Sequence, residues 1–138
     1  MNEFFLKFKS NLKNLQIAET LWKYFLSNQG LSEEKEYWLN LSIHEIVLNA
    51  IVHGNKNDER KWVFLSAKRM KNFLKIEITD EGICKKIPKI ENPGRKNNIF
   101  KNHGRGLYIV KKSVDNLKFK ILPKGNLRVI LKSKVFQK

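Results

Sequence analysis

Residues 44–55 read HEIVLNAIVHGN, and this stretch decides the fold. Its apolar residues recur at the spacing of a helix that packs against a core. Glu45, Asn49 and His53 follow one another at intervals of four residues, which places them along one face of that helix. Three interpretations compete for this face: a stripe open to solvent, a metal site, or one wall of a nucleotide pocket.

The metal interpretation is the weakest of the three. His44 and Glu45 begin a zinc-protease pattern, but that pattern needs a second histidine at position 48, where this chain has Leu48. The only cysteine is Cys84, so the chain can form neither an internal disulfide nor a zinc site with several cysteines. For an isolated helix the solvent-exposed stripe is the commoner arrangement.

Composition limits the class of protein. A chain of 138 residues with 41% hydrophobic residues is enough for one domain, residues 1–138, with a buried core. No apolar run approaches the roughly 20 residues that cross a bilayer. The N-terminus has no long apolar segment followed by a cleavage site, so we expect no signal peptide. A cytoplasmic protein without a membrane segment is therefore predicted.

The strong positive charge is a second general feature. The chain has 28 Lys and Arg residues against 13 Asp and Glu residues, a net charge of +15. Such a charge favours polyanionic partners, which include nucleic acid, nucleotides, anionic lipid and acidic protein surfaces. Because the basic residues are spread along the sequence, a role in solubility explains them equally well.

Apolar periodicity and turn residues predict the order β-α-α-β-β-loop-α-β-β. Gly30 suits the end of the first helix, and Ser32 caps a second helix that runs to about residue 52. The predicted elements are strands at 3–9, 62–67, 73–79, 117–122 and 127–135, and helices at 11–30, 33–52 and 107–114. This order predicts an α/β two-layer sandwich with a mixed, mostly antiparallel sheet.

Two glycine signals bracket a loop of more than 20 residues. DEG at 80–82 follows a strand, and GRGL at 104–107 opens a helix. An aspartate at a strand end can accept a hydrogen bond from a base or a ribose, and the glycine lets a flat ring approach the backbone. Free N–H groups at a helix start bind phosphate, and Arg105 adds a cationic fork. Each signal alone is weak.

The combined order of these motifs is more specific. E-x-x-x-N-A-x-x-H-G-N on a helix, D-x-G after a strand, a polar loop and then G-R-G-L resemble the GHKL ATPase superfamily with its Bergerat (histidine-kinase-like ATPase) fold. The chain looks closest to the bacterial anti-sigma-factor serine/threonine kinases of partner-switching systems. The resemblance covers nearly the whole chain, and it implies an ATP lid at about residues 83–103.

The resemblance also implies site residues. Asn49 would hold Mg²⁺ with the phosphates of ATP, because its amide oxygen is a hard ligand. Glu45 would be the general base that takes a proton from an acceptor hydroxyl. Asp80 would bind the adenine amino group, with Gly82 beneath the ring. The residues that would close over the phosphates are Gly104, Arg105, Gly106 and Leu107. The residues that would line the pocket without a chemical role are His53, Gly54 and Asn55.

Two positions depart from the pattern of the family. A second glycine and an acid usually follow Asp-x-Gly, whereas this chain continues with Ile83, Cys84 and two lysines. A hydroxyl residue often follows the glycine of the last hairpin, whereas here Asn126 follows Gly125. Two alternatives follow: one hydrogen bond on the adenine side is missing, or Asn126 supplies it.

Two functions remain open. The first is a kinase that sequesters a sigma factor and phosphorylates a serine or threonine of an anti-sigma-factor antagonist. The alternative is a non-catalytic, nucleotide-dependent partner-binding module. Direct nucleic-acid binding is not expected, because the sequence has no recognition helix and no interleaving of aromatic and basic residues.

Two further expectations concern assembly and order. A homodimer is possible through the first helix with Trp22 and Phe25, although we expect these two side chains in the core. We also predict that part of 84–103 is disordered when the site is empty.

Overall fold

The computed structural model describes residues 2–90 and 105–135. The elements are β1 (Glu3–Lys9), α1 (Leu12–Ser27), α2 (Glu33–Asn49), a π-helical turn (Ala50–Gly54), β2 (Trp62–Arg69), β3 (Phe73–Thr79), α3 (Arg105–Ser113), β4 (Asn116–Ile121) and β5 (Leu127–Lys134). This order confirms the predicted one. The α-helical part of α2 ends before residue 52 because the backbone widens into the π-helical turn, where the N–H of Asn55 donates to the carbonyl oxygen of Ala50 at 2.8 Å.

The five strands form one sheet in the order β1-β2-β3-β5-β4. All four pairings are antiparallel, which confirms the mostly antiparallel sheet. The described sheet contains no parallel pair, so it is not mixed as predicted. Although β4 comes first in the sequence, β5 lies beside the central strand β3 and β4 lies at the edge. This exchange brings the β4–β5 hairpin next to the end of β3, where the DEG motif begins.

The helices cover one face of the sheet. Alternate residues of each strand point to this face and pack against the apolar sides of the helices. Trp22 and Phe25 of α1 have exposed fractions of 1% and 0%, so they belong to the core and do not offer a dimer interface. Ile46, Val47 and Ile51 are equally buried and anchor α2 and the turn that follows it.

Local signals set the helix ends. The side chain of Ser32 accepts a hydrogen bond from the N–H of Lys35, as its capping role requires. Helix α1 ends at Ser27, and Gly30 follows three residues later with a φ of +72°, so the glycine turns the chain beyond the helix cap. In the part of the chain that the structure describes, no helix is long and apolar enough to cross a membrane.

Candidate functional site

A cavity of about 650 Å³ lies between α2, the end of β3 and the start of α3. All the predicted site residues that the structure describes in full, except Asn55, line this cavity: Glu45, Asn49, His53, Gly54, Asp80, Gly82, Gly106 and Leu107. Apolar side chains from the sheet complete the wall, among them Ile78, Leu127 and Val129. The sequence motifs, which lie far apart along the chain, therefore meet at one place.

Helix α2 contributes the polar wall of this cavity. Glu45 and Asn49 are half-buried and face the cavity one turn apart, while His53 lies at its exposed margin. The stripe is therefore not an open solvent face. Among the described residues no group of three or more His, Cys, Asp or Glu side chains could hold a metal ion.

Asp80 forms the floor of the cavity. Its exposed fraction is only 4%, and this burial raises the pKa of its carboxyl group. Hydrogen bonds act in the opposite direction: Oδ1 accepts the N–H of Gly82 at 2.9 Å and the N–H of Leu127 at 3.4 Å. Within the described ranges no hydrogen bond reaches Oδ2, so this oxygen is left to accept one from a ligand in the cavity.

Two glycines allow the floor to close. A side chain at Gly54 would collide with the carboxylate of Asp80, and a side chain at Gly82 would collide with the carbonyl oxygen of Gly54. The turn after α2 and the turn after β3 therefore touch backbone to backbone. We call Gly54, Asp80 and Gly82 the closed end of the cavity.

Asn55 has a different position from the one expected. It is fully buried and does not line the cavity. Its Oδ1 accepts the N–H of Glu81 at 2.8 Å, and its Nδ2 donates to the carbonyl oxygen of Trp62 at 3.0 Å. Glu81 in turn accepts the N–H of Trp62 at 2.6 Å. These bonds connect the turn after α2 to β2 and to the DEG motif. In the sequence, the only signal for this role is the presence of a polar residue after Gly54.

The side chain of Asn126 also bonds to backbone and does not line the cavity. Its Nδ2 donates to the carbonyl oxygen of Gly82 at 2.9 Å, and the N–H of Cys84 donates to the carbonyl oxygen of Gly125 at 2.7 Å. This bond is not the adenine-side bond that the sequence suggested, because it goes to backbone and positions the strand end that carries Asp80. The β4–β5 hairpin is thus bonded to the DEG turn and the residues after it at two points.

The opposite end of the cavity lies between α2 and α3, and we call Glu45, Asn49 and Gly106 the helix end. A side chain at Gly106 would collide with the carboxylate of Glu45, so the first turn of α3 lies directly against this acid. Helix α3 begins at Arg105, whose side chain, like Gly104, lies outside the described residues.

Only the first part of the predicted lid is described. Residues 83–90 leave the closed end and line the cavity through Ile83, Cys84, Pro88 and Lys89. The remaining lid residues, 91–103, on which most of the predicted disorder falls, lie outside the described ranges.

Comparison with known families agrees with this geometry. A sequence model described as a histidine kinase-like ATPase domain matches residues 8–131. The chain belongs to this family. The histidine kinase-like ATPase domain therefore spans all the elements that form the cavity. No curated protein sequence matches the chain significantly.

Solved structures show the same fold. The RsbU and RsbW domains of Rv1364c from Mycobacterium tuberculosis superpose with a TM-score of 0.68 at 13% identity, over 100% of this chain and 34% of that one. The chain thus spans about a third of that structure. The catalytic domain of histidine kinase ThkA superposes with a TM-score of 0.56 at 14% identity, over 98% of this chain and 99% of that one. These likenesses show that the chain has the fold of the histidine kinase-like ATPase domain, as the motifs indicated.

Proposed function

We propose that this chain is an ATP-dependent protein serine/threonine kinase that binds a sigma factor and phosphorylates an anti-sigma-factor antagonist. The observation that supports it most is the meeting of Glu45, Asn49 and Asp80 around one cavity of about 650 Å³. The family match supports nucleotide use, and the RsbW domain in the structure of Rv1364c supports a partner-switching system.

The closed end fits an adenine ring. The cavity volume lies in the range of small-molecule sites, roughly 300–1,000 Å³. Asp80 presents one carboxylate oxygen without a partner among the described residues, and an exocyclic amino group is a donor that would satisfy it. Ile78, Leu127 and Val129 supply the apolar contacts that a flat base needs.

The helix end fits the phosphates and a magnesium ion. Asn49 offers an amide oxygen, the kind of hard ligand that Mg²⁺ accepts, and the first turn of α3 offers backbone N–H groups to phosphate oxygens. When bound, Mg²⁺ would neutralise negative charge on the phosphates during transfer. Glu45 would accept the proton of the attacking hydroxyl, and its contact with Gly106 holds its carboxylate beside the phosphate-binding turn.

Binding of the nucleotide is the first point to test. We expect Mg-ATP to raise the melting temperature of the protein, because a ligand that binds only the folded state stabilises it. Asn49→Ala should remove most of this shift and leave the melting temperature of the ligand-free protein nearly unchanged. Asn28→Ala, at an exposed position outside the cavity, is the matched control. An equal shift in all three proteins would contradict the assignment of Asn49.

Phosphoryl transfer is the second point. The protein is incubated with γ-labelled ATP, Mg²⁺ and an anti-sigma-factor antagonist of the same genome, and label is expected on a serine or threonine of the antagonist. Nucleotide-dependent capture of the partner without transfer at any time would instead establish the non-catalytic binding module. Slow ATP hydrolysis by the free protein supports neither outcome over the other.

A further inference from the structure

The face of the sheet opposite the helices is built from basic and aromatic side chains. Alternate strand residues that do not enter the core point to this face, which we call the outer face. Its residues are Glu3, Phe5, Lys7, Lys9, Trp62, Phe64, Ser66, Lys68, Phe73, Lys75, Glu77, Thr79, Asn116, Lys118, Lys120, Arg128, Ile130, Lys132 and Lys134. No described element packs over them.

Positive charge is concentrated on the outer face. Nine of its residues are Lys or Arg and two are Glu, a net charge of +7 out of the +15 of the whole chain. In the sequence these residues are scattered over more than 130 positions, and pairing of the strands gathers them. A face with this charge density attracts a polyanion and repels a second copy of itself.

Strand register places like charges directly opposite each other. Lys75 of β3 lies between Lys68 of β2 and Lys132 of β5, and Lys120 pairs with Arg128. Like charges in opposed positions destabilise a sheet. Glu77 is the one carboxylate of the described chain that is ion-paired within this face, at 3.2 Å from Lys75 and 3.4 Å from Arg128. Lys75 therefore has a counter-charge within the outer face, whereas Lys68 and Lys132 have none among the described residues.

Aromatic rings alternate with lysines at the β1–β2 edge. Lys7 and Lys9 of β1 lie opposite Phe64 and Trp62 of β2. The ammonium groups of Lys7 and Lys9 lie 4.3 Å and 4.1 Å from the centre of the Trp62 ring. Phe5, on the same face, is 66% exposed. This interleaving is visible only across paired strands, which is why the linear sequence showed none.

We propose that the outer face binds single-stranded nucleic acid. The row of Lys68, Lys75 and Lys132 would pair with successive phosphates, and unpaired bases would stack on Trp62, Phe64 and Phe5. Stacking of a base on an aromatic ring exceeds an exposed cation–π contact, so Lys7 and Lys9 would leave the Trp62 ring for phosphates.

The aromatic rings decide between this partner and the other polyanions. An acidic protein surface would use the lysines and leave the rings without a role, whereas every base has a face that stacks on them. The face of a five-stranded sheet is wider than the major groove, which is about 12 Å wide and admits a helix or a two-stranded ribbon, so unpaired bases are the better fit. The cavity lies on the helix side of the sheet, so nucleotide and nucleic acid occupy different surfaces.

Anisotropy of a labelled single-stranded 15-nucleotide DNA or RNA of mixed sequence tests this proposal. We expect binding with a steep salt dependence, since counter-ions are released from the phosphates. Replacing Lys68, Lys75 and Lys132 together by glutamine should weaken binding at least tenfold and reduce the salt slope by about 2. Replacing the exposed helix residues Lys13, Lys23 and Lys111 by glutamine removes the same charge and should change affinity less than about twofold.

A second set of variants tests stacking. Trp62→Ala should weaken binding about tenfold, whereas Trp62→Phe should keep most of the affinity. The oligonucleotide should also quench tryptophan fluorescence in the parent protein and quench it much less in Trp62→Phe. Circular dichroism and melting curves show that each variant is folded, and Asn49→Ala, which is deficient only at the cavity, should bind the oligonucleotide as the parent does.

Several results would overturn the proposal. Absence of binding at low salt, or tighter binding to duplex of the same sequence, would exclude a single-strand site. Equal competition by polyglutamate, together with unchanged affinity in Trp62→Ala, would assign the outer face to an acidic protein. Dimerisation of the parent that the triple glutamine variant loses would assign it to a second copy of the chain.

Discussion

The two ends of the cavity are built in different ways. At the closed end, hydrogen bonds from α2, β2 and the β4–β5 hairpin converge on the DEG turn, and Gly54 and Gly82 touch through their backbones. At the helix end, Glu45 lies against Gly106, and no hydrogen bond between described residues joins them. The comparison shows that the closed end is held by backbone contacts and hydrogen bonds, whereas at the helix end the side chain of Glu45 lies against the backbone of α3.

The largest effect is expected from Gly82→Ala. The added methyl group would meet the carbonyl oxygen of Gly54, which is backbone and cannot move alone. We expect a loss of about 1–3 kcal/mol in the free energy of unfolding and no measurable Mg-ATP binding. Gly30→Ala is the control, because its φ of +72° also opposes a side chain but the space around it is open. It should cost about 1–2 kcal/mol and keep the affinity. Calorimetry and thermal unfolding measure both quantities.

Glu45→Gln is expected to separate chemistry from binding. Glutamine keeps the shape of the side chain against Gly106 but cannot accept the proton, so transfer to the antagonist should fall by about 10²–10⁴-fold. The dissociation constant of Mg-ATP should change less than about threefold, because the phosphate and adenine contacts remain. Single-turnover transfer with labelled ATP measures the rate. Unchanged transfer would show that Glu45 is not the base.

Asp80→Asn is expected to act in opposite directions on binding and stability. The amide presents a donor or a weaker acceptor to the adenine, so Mg-ATP affinity should fall about 10- to 100-fold. Burial raises the pKa of Asp80, so the folded state binds more protons than the unfolded state above the ordinary value of 3.8. The stability that this group contributes is therefore fully present below pH 3.8 and decreases as the pH rises from 3.8 through the raised pKa. It stays low at neutral pH.

The pH dependence gives this variant an internal control. At neutral pH the ligand-free Asp80→Asn variant should melt at a higher temperature than the parent, and the difference should shrink as the pH falls through the raised pKa towards 3.8. Melting curves across this range measure the effect. A parent protein that gains no stability on acidification relative to Asp80→Asn would contradict the desolvation of Asp80.

Asn126→Ala is expected to have the smallest effect. It removes one hydrogen bond to the carbonyl oxygen of Gly82, a loss of about 0.5–1.5 kcal/mol in the free energy of unfolding. Because Asp80 would be held less firmly, Mg-ATP affinity should fall about two- to fivefold. Lys124→Ala, exposed in the same hairpin, is the control. A larger loss than in Asp80→Asn would mean that Asn126 contacts the nucleotide itself.

Much of the fold could be predicted because its signals are local. Strand β3 was predicted at its observed bounds from the alternation of Leu74, Ile76 and Ile78, and the cap of α2 from Ser32. The observed ends of α2 and α3 differ from the predicted ends by a few residues. For α2 the reason is the widening at Ala50–Gly54, which depends on hydrogen bonds to the following turn. The position of β5 inside the sheet follows from its pairing with β3, and the apolar periodicity of a strand does not indicate which strand it pairs with.

Within the site, the sequence alone predicted the acid, amide and glycine residues that line the cavity, because their motifs occur in a fixed order along the chain. Only the tertiary structure decided that Gly54 and Gly82 touch, that Asn55 and Asn126 hold backbone instead of facing the cavity, and that lysines and aromatic rings share the outer face. Each of these depends on the register between segments that are far apart in the chain. Spacing along a sequence describes neighbours on one element, whereas contacts between elements are set when the core packs.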